Sequence, residues 1–217
     1  MARVSFEYEP HSFFGKPREV RFEGLSLLIE KGVYDPHEDS FLLAQAAMNY
    51  ARGEVLDLGC GSGIAGLSAA RLPAVKKVTL VDLCEPALSC AKVNAERNRL
   101  SSKCEVIQSR LFSSLAGRTF DTILFNPPYL PTSKFEVTKE LDEAWNGGPD
   151  GRRIIDPFLE RVANHLSPNG QVLFLSSSLS DTAKTIKMFD SQGFRVERVL
   201  EERFFFETLT VLRAVKK

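Results

Sequence analysis

From residue 54 onward, short apolar runs alternate with helical stripes, and this alternation limits the fold more than any other feature of the chain. Residues 55–58, 77–81, 105–108, 122–125 and 171–176 are short and rich in apolar or β-branched side chains. Between them lie a small-residue helix through Leu72, a helix opened by Pro86 with Ala87, Leu88, Ala91 and Ala95 on one face, and a stripe of Ile154, Ile155, Phe158, Leu159, Val162 and Leu166. A further helix runs from Asp181 to about Ser191. Strands separated by helices cannot pair as hairpins, so they form a parallel sheet with helices on both faces, an α/β fold. Asn169-Gly170 is expected to end the third helix. The last two runs, 195–200 and 205–213, are joined by few residues and should pair antiparallel at one edge. Phe204-Phe205-Phe206 is expected to be buried strand.

The first thirty residues are less regular. Residues 19–22 and 25–29, separated by Glu23-Gly24, read as a β-hairpin. Asp35 before Pro36 is the expected N-cap of a helix carrying Phe41, Leu42, Ala44, Gln45 and Met48. Phe6, Phe13 and Phe14 form an apolar stretch suited to covering either the core or a substrate.

Composition narrows the class. Lys plus Arg and Asp plus Glu both total 28, so the formal net charge is zero. That balance argues against a surface built for broad phosphate attraction. No run of 18 apolar residues exists, so no membrane span is expected, and residues 1–10 carry Glu7 and Glu9 without an apolar core of a secretory leader. Cys60, Cys84, Cys90 and Cys104 have no CxxC spacing, and His11, His37 and His165 share no ligand spacing. Reduced thiols, a cytoplasmic location and no metal site are therefore expected.

The strand 55–58 feeds directly into Gly59-Cys60-Gly61-Ser62-Gly63. Alternate glycines let the backbone pass close to a ligand beside a helix N-terminus. Gly61, Gly63 and Gly66 satisfy GxGxxG, but two residues late for a dinucleotide fingerprint, and Asp57 would repel a pyrophosphate. A carboxylate there suits an amine-bearing ligand. Asp82 ends the next strand, about 20 residues after the turn, where an acid accepts from ribose hydroxyls; capping the following helix is the competing role. A ribose diol, a free amine and no phosphate describe S-adenosylmethionine. Asp57, Gly59, Gly61, Gly63 and Asp82 together resemble the class I S-adenosylmethionine-dependent methyltransferases. Cys60 and Leu83 belong with this cofactor-facing group.

The sharpest motif is Asn126-Pro127-Pro128-Tyr129, at the carboxyl end of the fourth strand. A planar NH2 on an amide or a nucleobase has a delocalised lone pair and is a poor nucleophile. The Asn126 side-chain oxygen and the Pro127 carbonyl can accept its two hydrogens, two prolines stiffen the turn, and Tyr129 offers a flat face for stacking. Catalysis is then mostly proximity and orientation, with no strong general base. Two substrate classes fit: exocyclic amines of nucleobases and side-chain amides of glutamine.

Further segments narrow the choice. Val33-Tyr34-Asp35-Pro36-His37-Glu38-Asp39-Ser40 and Glu143-Ala144-Trp145-Asn146-Gly147-Gly148-Pro149-Asp150-Gly151-Arg152 frame the Asn-Pro-Pro-Tyr motif, and Glu207-Thr208-Leu209-Thr210-Val211-Leu212 closes the chain's likeness. From Val33 to the C-terminus this order resembles the HemK-like glutamine N5-methyltransferases, in particular the short archaeal and eukaryotic branch without a separate substrate domain. The resemblance implies a three-layer Rossmann-like fold with a seven-stranded, mostly parallel sheet and an antiparallel C-terminal strand. It implies a catalytic domain over 33–217, preceded by an extension over 1–32 that carries the hairpin. It implies S-adenosylmethionine as cofactor and, as substrate, the glutamine of a Gly-Gly-Gln motif in a class I translation release factor. Protein lysine and DNA or RNA adenine methylation are the alternatives within that branch. A small zinc-binding activator subunit is the implied heterodimer partner, and the strand 105–108 is a candidate edge for it.

Carried over by motif, Asp39 and Ser40 lie against the cofactor, Leu111 contacts the adenine, and Tyr34, Gly147 and Gly148 shape the substrate side. Arg110 stands where the family usually places an aspartate that accepts from the adenine amine. Arginine has no acceptor, so that contact falls to the backbone or to Ser109, with Arg110 in the cofactor pocket or in solvent. Between residues 130 and 165 there are five Lys or Arg and seven Asp or Glu. That acidic excess beside Tyr129 favours a protein substrate over a nucleic acid.

Overall fold

A computed structural model describes residues 17–132 and 146–217. Phe6, His11, Phe13, Phe14 and the segment around Trp145 lie outside the described residues. The order of elements is β1 (Arg18–Phe22), β2 (Leu25–Ile29), α1 (Glu38–Tyr50), β3 (Gly53–Leu58), α2 (Ile64–Ala70), β4 (Val75–Asp82), α3 (Glu85–Arg97), β5 (Cys104–Gln108), β6 (Phe120–Phe125), α4 (Ile155–Arg161), β7 (Leu166–Ser177), α5 (Thr182–Ser191), β8 (Phe194–Arg203) and β9 (Thr208–Lys216).

Seven strands form one sheet in the order β5-β4-β3-β6-β7-β9-β8. The pairs from β5 to β7 are parallel, and β9 is antiparallel to both of its neighbours. Alternate residues feed two cores. Val55, Leu80, Leu124, Leu173 and Val211 pack against α1, α2 and α3, whereas Leu56, Val81, Phe125, Phe174 and Leu212 pack against α4 and α5. Strands covered on both faces must be apolar throughout, which explains their short continuous apolar runs. Buried Phe125, Phe158, Phe174, Phe189 and Phe194 form a chain of stacked and edge-on rings in the second core.

The chain winds from β3 outward through β4 to β5, then returns to the other side of β3 as β6. Strand order therefore reverses between β3 and β6, where open α/β sheets open a crevice. Leu58 is level with Val81 and Phe125, and Asp82 with Gln108. The loops beginning at Gly59, Leu83, Ser109 and Asn126 thus leave the sheet side by side.

The N-terminal hairpin turns through Glu23 (φ 45°) and Gly24 (φ 81°), both left-handed, as a two-residue type I′ turn requires. It docks on α3 through side-chain amides that act as a substitute strand. Asn94 Oδ1 accepts from Leu28 N–H at 2.7 Å and its Nδ2 donates to Leu28 C=O at 3.0 Å; Asn98 makes the same pair with Ser26 at 3.0 and 2.9 Å.

Three local expectations are corrected. Asp35 does not cap α1: the N-cap is His37 without a side-chain bond, and Asp35 instead pairs with Arg18 at 2.5 Å. Residues 34–37 have no regular structure, Tyr34, Pro36 and His37 line the crevice, and the helix starts at Glu38. Asn169-Gly170 does not end a helix. Helix α4 stops at Arg161, a 3-10 turn follows through His165, and Asn169 (φ 61°) lies within β7. Pro168 disfavours helical geometry at Ser167, so the helix could not reach Asn169. Finally, Phe204-Phe205-Phe206 is not buried strand. It forms the turn between β8 and β9, and Phe205 is fully exposed.

Candidate active site

A cavity of about 820 Å³ opens where the four loops leave the sheet. Its walls contain Tyr34, Asp39, Ser40, Asp57, Gly59, Cys60, Gly61, Asp82, Leu83, Ser109, Arg110, Leu111 and the whole run from Asn126 to Tyr129. Residues spread over almost a hundred positions thus meet at one crevice, because parallel strands deliver all their carboxyl ends to the same edge.

On the β3–β4 side, Asp57 is buried and accepts from Gly66 N–H at 2.8 Å. Burial pushes its carboxyl up from 3.8 to about 7, partly offset by that hydrogen bond, with Asp82 raising it further. A carboxylate this poorly solvated gains from a cationic partner. Gly66 has a packing role: a Cβ would come within 2.5 Å of Leu80 and 2.8 Å of Asp57, so only glycine lets α2 lie this close to β3. Gly61 (φ 52°) has open space where a Cβ would project, and its N–H donates to Asp82 Oδ2 at 3.0 Å. Gly63 is the N-cap of α2 and stands behind the cavity wall. Asp82 Oδ1 accepts from Cys84 N–H at 3.0 Å, which fixes the carboxylate plane. Cys84, not Asp82, is the N-cap of α3. Leu83 shows 41 % of its surface, an apolar side chain left uncovered in the cavity wall.

The β5 loop settles what Ser109 can do. Its hydroxyl donates to Leu111 C=O at 3.0 Å and accepts from Ser114 N–H at 3.0 Å. These bonds hold Leu111 in a left-handed conformation (φ 50°) at the cavity wall. Ser109 thus shapes the turn, and Arg110 is exposed at its tip.

On the β6 side the geometry is most specific. Asn126 Nδ2 donates to Asp39 Oδ2 at 2.9 Å. That bond fixes which way the amide faces. Its other end, Oδ1, is buried and has no hydrogen-bond partner among the described residues. Buried acceptors are rarely left orphaned, which singles this oxygen out among the polar atoms of the site. Asp39 is itself buried and its acceptor sites are filled: Tyr34 hydroxyl donates to Oδ2 at 2.9 Å, and Ser40 N–H and Oγ donate to Oδ1 at 2.6 and 3.1 Å. Burial and the neighbouring Asp39 hold the phenols of Tyr34 and Tyr129 well above their usual range, so both keep their protons.

Gly147 and Gly148 stand behind the lining. Gly147 N–H donates to Leu130 C=O at 3.0 Å, and Gly148 C=O accepts from Thr132 N–H at 2.9 Å. Gly151 (φ 78°) has no room for a Cβ, which would meet Tyr129 C=O at 2.4 Å. This glycine cluster buttresses the Asn126–Tyr129 turn from outside.

Two contributors were not legible as such. Asp39 orients Asn126 across 87 residues of sequence; its only signal was its place in the Tyr34–Ser40 motif. Glu207 lines the cavity, accepts from Ser177 Oγ at 2.7 Å, and is pushed up by burial and by Asp39 and Glu38. Its signal was its position at the head of the C-terminal motif. Among the described residues no group of three or more His, Cys, Asp or Glu could hold a metal, the four cysteines are free, and no helix is long and apolar enough to cross a membrane.

Comparison with known proteins agrees with this geometry. The model of the methyltransferase small domain matches residues 31–144. A Methanocaldococcus jannaschii protein named for protein N5-glutamine methyltransfer is 38% identical over 90% of this chain and 98% of its own. The release factor glutamine methyltransferase of Rhodopirellula baltica is 32% identical over 76% of this chain, which spans 61% of that longer relative. Among solved structures, a chain of the E. cuniculi Mtq2–Trm112 complex, responsible for methylating the eRF1 termination factor, shares the fold with a TM-score of 0.63 at 20% identity, covering 86% of this chain and 99% of that one.

Proposed function

Because the chain belongs to the small-domain methyltransferases, and among them to the HemK-like glutamine N5-methyltransferases, we infer that it methylates the side-chain nitrogen of the glutamine in a Gly-Gly-Gln motif of a class I release factor. The observation that carries this reading is Asn126 in the cavity wall, its amide fixed by Asp39 and its buried Oδ1 without a hydrogen-bond partner among the described residues. An acceptor so placed takes one hydrogen of a planar NH2. The Pro127 carbonyl takes the second, and Tyr129 packs on the amide plane.

S-adenosylmethionine, when bound, supplies an electrophilic methyl group. The residues present fit it: Asp57 for the ammonium, Asp82 for the ribose diol, Gly59, Cys60 and Gly61 for close backbone approach, and Leu83 and Leu111 for the adenine faces. Ser40 completes the entrance wall. Asn126 and Pro127 withdraw the amide from water and fix its nitrogen in one place, which converts an encounter into a positioned reaction. The acids Glu38, Asp39 and Glu207 along the cavity disfavour a polyanion and favour a protein, so glutamine is preferred over a nucleobase.

The same reading gives residues 33–217 as the catalytic domain, 1–32 as an extension, the cytoplasm as the location, and a small zinc-binding activator as heterodimer partner. The open edge of β5, whose residues are only half-covered, is the place for that partner to add a strand. The experiment is transfer of labelled methyl from S-adenosylmethionine to a class I release factor, with and without activator. Replacing the Gly-Gly-Gln glutamine should abolish labelling. Labelling that survives, or labelling of an oligonucleotide alone, rejects the reading.

A further inference from the structure

Among the described residues, the β8–β9 turn presents large apolar side chains that stand outside the core. Phe205 is 105 % exposed and Phe206 64 %, although aromatic side chains of this size normally contribute to cores or interfaces. The turn beneath them is held firmly. Phe204 N–H donates to Glu207 C=O at 2.8 Å, Thr208 N–H donates to Ser178 Oγ at 3.0 Å, and Glu207 is tied to Ser177. Phe204 packs partly into the core. The two outer rings are therefore displayed on a braced support.

The patch is continuous with the catalytic cavity. Phe204, Phe206 and Glu207 line the same walls as Asn126 and Tyr129. Phe205, next to Phe206 in the chain, extends this apolar surface outward from the cavity. Glu207 lines this cavity together with Glu38, and carboxylates along a rim favour a cationic neighbour. An apolar surface bordered by acids on one side of a peptide-sized opening is complementary to a segment that carries both an apolar and a basic side chain.

We propose that Phe205 and Phe206, with Glu207, form the docking surface for the release factor: the rings take an apolar side chain flanking the target glutamine, and Glu207 takes a basic one. This rests on the glutamine reading above. It assigns substrate affinity, not the chemical step, to the turn.

The test uses the full chain with its activator and an intact class I release factor. Phe205→Ser/Phe206→Ser should raise KM for the factor by about tenfold or more, while kcat, S-adenosylmethionine affinity and melting temperature stay close to those of the parent. Phe205→Leu/Phe206→Leu, which keeps an apolar surface, should bring KM back to within about threefold of the parent. Glu207→Gln should raise KM and weaken its dependence on salt. A serine pair with KM within about twofold of the parent overturns the proposal. So does a serine pair that changes only a self-association equilibrium in ultracentrifugation, which would assign the patch to a second copy. Failure of the parent enzyme to methylate the factor's glutamine is a different result: it rejects the function, and it is seen before any variant is made.

Discussion

Asp39→Asn tests the orientation of Asn126 without changing the shape of the site, although it also removes the charge that acts on Tyr34, Tyr129 and Glu207. The replacement is isosteric, so packing is preserved. As a carboxylate, Asp39 accepts on both oxygens: Ser40 N–H and Oγ on one, Tyr34 hydroxyl and Asn126 Nδ2 on the other. An amide has one acceptor oxygen and one NH2. The Ser40 N–H belongs to the backbone at 2.6 Å and cannot rotate, so the new oxygen stays on that side. The NH2 then faces Tyr34 and Asn126. Tyr34 can rotate its hydroxyl to accept. Asn126 can match the new donor only by flipping its amide, which puts a donor where the unpartnered Oδ1 stood and so opposes a substrate NH2. Restoring the productive orientation costs a hydrogen bond to a charged group, about 1.5–3 kcal/mol. On the rate this is roughly a ten- to hundredfold loss of kcat. Labelled methyl transfer at saturating cofactor and protein substrate measures it, with thermal melting as the check on folding. A kcat within about twofold of the parent would mean that Asn126 does not act through a fixed acceptor, and the argument from its orphaned oxygen would be wrong.

Asn126→Ala removes the acceptor itself and should lower turnover at least about tenfold, in the same transfer assay, while S-adenosylmethionine still binds in calorimetry. Asp57, held up at about 7, keeps its proton in the folded protein after the unfolded chain has lost it. The free protein should therefore lose stability as pH rises from about 4 to 7 and level off above, and urea titrations across that range would show it. Cofactor affinity should move the other way, rising between about pH 6 and 8 as Asp57 ionises to meet the ammonium. Asp57→Asn should flatten that profile in calorimetry, and an unchanged slope in the variant rejects the assignment. Asn94→Ala strands Leu28 N–H, leaves Leu28 C=O with only the Cys90 thiol as donor, and breaks a 3.0 Å bond from Asn94 Nδ2 to Ser62 C=O in the glycine-rich loop. Denaturant unfolding should show a loss of about 2–4 kcal/mol, since several buried polar groups lose their partners together. A loss under about 1 kcal/mol would mean that water replaces the amide and the hairpin is not anchored by it.

Much of this protein was legible before its structure was known, and the reasons are local. The strand–helix alternation, the hairpin turn at Glu23-Gly24 and the glycine turn after Leu58 each depend on patterns within a dozen residues. Asn126-Pro127-Pro128-Tyr129 is similar, because its donors and acceptors are adjacent in the chain and stiffened by their own prolines. Boundaries were less legible. Asp35 had the residue type of an N-cap but was claimed by Arg18 from the hairpin, and α4 stopped ahead of Ser167-Pro168, well before Gly170.

The amino-acid sequence alone determined a two-faced parallel α/β sheet, a cofactor turn, and a motif able to hold a planar NH2. Only the tertiary structure decided which way Asn126 faces, because its partner Asp39 lies 87 residues away and no local pattern encodes that pairing. It also decided that Asn94 binds a strand 66 residues before it, and that of three consecutive phenylalanines Phe204 packs against the core while Phe205 and Phe206 are exposed in a turn. The difference is physical. Periodicity and turn chemistry are properties of neighbouring residues, whereas amide orientation, hydrogen-bond satisfaction and exposure are set by whatever the packed sheet brings alongside.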